Sequence, residues 1–169
     1  GEEADLMEIK SAAYRVIHHK RLISRMMENT KHVKKAVNML GQFLVETHGA
    51  YSGLLNIKET GLFPYINAGR ILAISENLME TSTAMRLKTL PSSILSEGRK
   101  KSISQQFIRL QDYRIQFGNH KDYESGHYLF IDRLTKAERK ELKDLIKDGQ
   151  LLNEYVRKFA ERKEYDGDE

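Results

Sequence analysis

The chain has 169 residues, 40% of them apolar and 31% charged, which is the composition of an ordinary folded domain with one sizeable core. Cysteine is absent, which excludes disulfide frameworks, thiolate zinc sites and cysteine nucleophiles and suits a reducing, cytoplasmic setting. The 28 basic and 24 acidic residues leave +4 at pH 7, too mild an excess for a nucleic-acid footprint by itself, and no apolar run approaches the ~18 residues that would call for a membrane.

The sequence opens on Gly1 rather than methionine, as expected of a piece excised from a longer chain. Only Pro64 and Pro91 interrupt it, which leaves room for long helices. Leu6, Ile9, Ala13, Val16, Ile23 and Met27 recur at three- and four-residue spacing and predict a first amphipathic helix. Asn29-Thr30 could cap a second, with Val33, Val37, Leu40 and Leu44 inward, running to about His48 before Gly49 stops it; one long bent helix is the alternative. A loop from Gly49 to Thr60 leads to a helix with Pro64 in its first turn, continuing to about Asn77. A shorter helix is expected near Thr81 to Thr89, ended by Pro91.

Ser102 to Phe117 reads as a further helix, with Ile103, Phe107, Leu110 and Tyr113 on one face and Gly118 at its end. Asn119 to Gly126 is a polar loop. Thr135-Lys136-Ala137-Glu138 is a capping box, hydroxyl and carboxylate each meeting a free backbone N–H. Behind it Leu142, Leu145, Ile146, Leu152, Tyr155, Val156 and Phe159 continue at helical spacing, and residues 161–169 form a charged, frayed tail. No segment alternates with a two-residue period between hairpin signals, so no sheet is expected. The fold class is all-α: a bundle of five to six helices in one domain, residues 1–160.

Chemistry is harder to find. The six histidines offer no metal-binding spacing; His18 and His19, being adjacent, point to different helix faces. Glycine-rich phosphate loops and nucleophile elbows are missing, and no metal, cofactor or catalytic residue is expected. Three basic clusters, His18-His19-Lys20-Arg21, Lys31 to Lys35 and Arg99-Lys100-Lys101, read first as solvated helix faces and second as sites for a phosphate-bearing partner. Lys58, Arg70, Arg86, Arg109 and Arg114 stand on otherwise apolar helices. A guanidinium in such surroundings needs a carboxylate, carbonyl or phosphate, so either internal salt bridges or an anion pocket between helices is expected. Arg114 and His120 bracket the end of one helix, where an arginine and a histidine could bind a phosphodiester and move a proton; the alternative is an internally paired Arg114 and a solvated His120.

The run Asn56 to Pro64, with Lys58 and Gly61-Leu62-Phe63-Pro64, is followed by Gly69-Arg70-Ile71-Leu72-Ala73. Thr83-Ala84-Met85-Arg86-Leu87, Leu110 to Gln116 and Ile131 to Thr135 come after it in order. Together they resemble the helical substrate-binding domain found C-terminal to nucleotidyltransferase domains of bacterial signalling proteins. Those domains are related to PII-uridylyltransferases and often lie beside CBS or cyclic-nucleotide-binding modules. The resemblance spans residues 20–159. It implies a non-catalytic accessory domain that binds or positions the acceptor, a nucleotide or an acidic protein, for an upstream nucleotidyltransferase domain. Lys58, Arg70, Arg86, Arg114 and Gln116 would then be the substrate-binding residues. Such domains also resemble the HEPN superfamily, whose active members cleave RNA with an arginine and a histidine spaced as Arg114 and His120 are. A third expectation is a dimerisation module built on the first helix.

Overall fold

The computed structural model describes residues 1–76, 78–80, 82–122 and 125–167, leaving aside the side chains of 11–19 and 163–167. In chain order the helices are α1 (Glu2–Thr30), α2 (Phe63–Ser75), α3 (Thr83–Thr89), α4 (Glu97–Phe117) and α5 (Lys136–Gly167). The fold is all-α, as the periodicities predict. Short elements fill the joints: strand β1 (Leu55–Asn56), a π-helical turn (Lys58–Leu62), strand β2 (Tyr128–Leu129), and 3-10 turns at Ser125–His127 and Ile131–Arg133. Among the described residues, no helix is long and apolar enough to cross a membrane.

α2 is the axis of the bundle. Its sequence is apolar nearly all round, which fits a helix with neighbours on several sides. Tyr65, Ala68, Ile71 and Leu72 are fully buried. The Tyr65 hydroxyl donates to the Leu145 carbonyl of α5 at 2.7 Å, and Asn67 donates from Nδ2 to the Met26 carbonyl of α1 at 3.4 Å. Gly69 faces Thr83 and Leu87 of α3. Gly149 of α5 lies against the Tyr65 ring so closely that a Cβ there would sit 2.5 Å from Cε2. Pro64 occupies the first turn of α2, where its missing N–H costs no bond.

The capping box forms as expected: Thr135 Oγ1 accepts from the Glu138 N–H at 3.1 Å, and Glu138 Oε1 from the Thr135 N–H at 2.9 Å. Leu142, Ile146, Leu152 and Val156 then enter the core, and residues 161–167 continue α5. α4 starts five residues earlier than its apolar face suggests, because the Ser96 side chain caps it by accepting from the Arg99 N–H. Ser82 caps α3 in the same way. Asn77 and Thr81, where two helix ends were expected, lie outside the described residues.

Two expectations are overturned. No second helix follows α1; residues 31–48 fold back in a hairpin-like loop bridged at Val37 and Phe43. Asn38 decides this locally. Its Oδ1 accepts from the N–H groups of Leu40 and Gln42, at 2.9 and 3.0 Å, and Gly41 adopts φ +77° to close the turn. Leu40, expected on the inner face, is 84% exposed; Ala36 is buried instead. A small antiparallel sheet also exists, pairing Leu55 with Leu129 and Asn56 with Tyr128. Strands of two residues are too short to show any alternation. They bring Leu55 and Leu129, both fully buried, under the end of α4.

Candidate functional site

The five expected substrate contacts come from four elements, and none is a core residue. Lys58 is exposed at the head of the π-turn, which Asn56 braces by accepting the Glu59 N–H and the Thr60 hydroxyl. Arg70 is the one exposed position of α2. Its apolar flanks face inward while its own direction, one residue further round the helix, faces water, so the expected burial does not occur. Arg86 is half-buried, with Nε donating to the Glu80 carbonyl at 2.7 Å. Arg114 is half-buried, with Nε donating to the Gly126 carbonyl at 3.0 Å. Gln116 is exposed on the last turn of α4.

Carbonyls, rather than buried carboxylates, therefore satisfy Arg86 and Arg114. Arg109 does find a carboxylate, Glu141 of α5, at 2.8 Å, but at the half-exposed surface. Tyr113 donates to the same oxygen, and the Arg109 guanidinium lies 4.8 Å from the centre of the Tyr113 ring. The hydrogen bond from Tyr113, then that from Arg109, holds the Glu141 carboxyl below its ordinary range. Burial pushes the Tyr113 hydroxyl well up.

Arg114 and His120 each hydrogen-bond to a separate backbone carbonyl. His120 Nε2 turns back to the Ile115 carbonyl at 2.7 Å, whereas Arg114 reaches over to Gly126. The helix does end between them, as Gly118 predicts, and each nitrogen is taken up by a different stretch of backbone.

The basic clusters separate just as clearly. Lys100 is buried and donates from Nζ to the Leu90 carbonyl at 2.7 Å, closing the C-terminal end of α3, with Glu97 alongside. It is a structural residue, not a phosphate contact. The side chains of His18 and His19 lie outside the described residues; Lys20 and Arg21 are exposed.

Lys31 and Lys35 belong to something larger. The segment after α1 and one face of α5 enclose a cleft of about 420 Å³, lined by Lys31, Lys35, Lys147, Asn153, Glu154 and Arg157, with Val33 and Leu151 as apolar walls. That volume is in the range of small-molecule sites. None of Lys58, Arg70, Arg86, Arg114 or Gln116 lines it. Lys147, Glu154 and Arg157 recur at spacings of seven and three, which carries a legible signal for one face of a helix but none for what that face opposes. Among the described residues, no group of three His, Cys, Asp or Glu side chains is placed to hold a metal ion.

The fold and surface define a helical bundle that displays isolated basic side chains. This chain belongs to the family described as "Putative nucleotidyltransferase substrate binding domain", which it matches over residues 20–159. No curated protein and no solved structure matches it.

Proposed function

We propose that this is a non-catalytic accessory domain that binds or positions the acceptor for an adjoining nucleotidyltransferase domain, in a bacterial, cytoplasmic signalling protein. Family membership supports the association with a nucleotidyltransferase. The observation that carries the acceptor role is Arg70: on a helix otherwise given over to the core, one guanidinium points to water. A cation at the exposed position of such a helix is available to a ligand. Lys58, exposed at the turn leading into the same helix, supplies a second charge, with Arg86, Arg114 and Gln116 as further contacts. A nucleotide or an acidic protein surface answers this charge.

In a protein carrying this domain beside a nucleotidyltransferase domain, Arg70→Gln and Lys58→Gln raise the KM for the acceptor and leave that for the nucleoside triphosphate unchanged. Equal effects on both, or on neither, refute the assignment.

A second reading is dimerisation through α1. Leu6, Met7 and Ile9 are 53%, 73% and 66% exposed, an apolar run suited to pairing with a second copy. Light scattering with and without residues 1–28 decides it: a dimer that becomes a monomer on deletion supports this reading, and a monomer throughout removes it.

A further inference from the structure

We infer that the cleft between the segment after α1 and α5 binds a small phosphate ester of nucleotide size. Lys147 and Arg157, with Lys31 and Lys35, hold the phosphate, and Asn153 reads the remainder of the ligand. Three observations converge on this. The lining carries four cations against one carboxylate, Glu154, a local imbalance far steeper than that of the whole chain. Lys31 is shared with Glu28 at 3.0 Å, but that pair is well exposed and easily exchanged for a dianion.

The second observation is two polar atoms without a partner. Asn153 is 6% exposed, and among the described residues its Oδ1 is buried with no hydrogen bond; the same holds for Nε of Arg157. The nearest carboxylate to that Nε, Glu161, stands 3.9 Å away, beyond hydrogen-bond reach. Buried polar atoms are normally satisfied; of the four left unpaired among the described residues, Asn153 Oδ1 and Arg157 Nε belong to side chains that line this cleft, and rotation of either side chain brings the atom to a ligand there. A half-turn of the Asn153 amide presents either its oxygen or its NH2, so it can meet a donor or an acceptor.

Third, the volume of about 420 Å³ exceeds the needs of a bare phosphate, and Val33 and Leu151 offer apolar walls to a base or sugar. The inference is independent of the acceptor reading, because it uses none of the residues assigned there.

The test is calorimetric titration of the protein with a panel of nucleoside diphosphates, with inorganic pyrophosphate and adenosine as controls. At least one diphosphate is expected to bind more tightly than either control, and more weakly as salt rises. Lys147→Gln and Arg157→Gln weaken it about tenfold or more, as loss of a charge-assisted bond does, whereas Lys140→Gln, at an exposed cation outside the cleft, leaves it unchanged. Asn153→Leu separates a binding role from a structural one: it weakens binding while the thermal midpoint holds or rises. Binding by no diphosphate, pyrophosphate binding as tightly as the diphosphates, or full affinity in both charge variants would overturn the proposal. So would an Asn153→Leu protein that loses stability but keeps its affinity.

Discussion

Replacing Gly149 by alanine tests the packing of the bundle at its closest point. Alanine is the better helix former by about 1 kcal/mol, so on propensity alone the change stabilises α5. The structure predicts the opposite. The new Cβ would lie 2.5, 2.9 and 3.2 Å from three carbons of the Tyr65 ring, well inside contact distance. The ring cannot simply swing away, since it is fully buried and its hydroxyl is fixed to the Leu145 carbonyl one turn earlier on α5. Overpacking of this kind costs roughly 1–3 kcal/mol, and losing the buried hydroxyl bond about 1 more. Set against the propensity gain, the net loss is roughly 1–3 kcal/mol. For a chain of this size that lowers Tm by roughly 2–4 °C per kcal/mol. Urea and thermal unfolding followed by circular dichroism measure it. Tyr65→Leu removes the ring, so the double variant should be less destabilised than the sum of the two single changes. A Gly149→Ala protein as stable as wild type or more so would refute the close approach of α2 and α5.

Thr135→Ala breaks the capping box and costs about 1 kcal/mol in urea unfolding, while Glu138→Gln retains most of it. Lys100→Met preserves the volume but leaves the Leu90 carbonyl without its donor, costing roughly 1–3 kcal/mol in the same assay. Glu141 has a lowered folded pKa, so its contribution is present above the unfolded value near 4.3 and is lost as pH falls through the folded one. Acid titration of unfolding free energy in Glu141→Gln should therefore show a shallower decline below about pH 4.3, by under about 1 kcal/mol because the pair is half-exposed. Tyr65 and Tyr113 are both held protonated by burial, so stability falls as pH rises above about 10, where the unfolded hydroxyls ionise first. Tyr65→Phe should flatten that alkaline limb.

What could be read from the chain was local and periodic. The capping box at Thr135, proline in the first turn of α2 and the apolar stripe of α5 each depend on residues within a few positions of one another. The loop after α1 departs from its helical pattern for a local reason too. Val33, Val37 and Leu40 keep helical spacing, but the Asn38 side chain offers the backbone a competing turn that Gly41 completes. Arg70 shows a different limit, since flanking apolar residues say that a helix is buried but not which of its directions stays open. The α1–α5 cleft lay out of reach because it joins Lys31 and Lys35 to Lys147, Asn153 and Arg157 from the other end of the chain. Only the Lys31 to Lys35 cluster gave any sign of it.

Assaying nucleotidyl transfer with the domain present and removed decides whether it serves the acceptor rather than the chemistry. The catalytic domain alone is expected still to bind nucleoside triphosphate but no longer to label its acceptor, with acceptor labelling returning when this domain is rejoined. Acceptor labelling at an unchanged rate without residues 20–159 would contradict it.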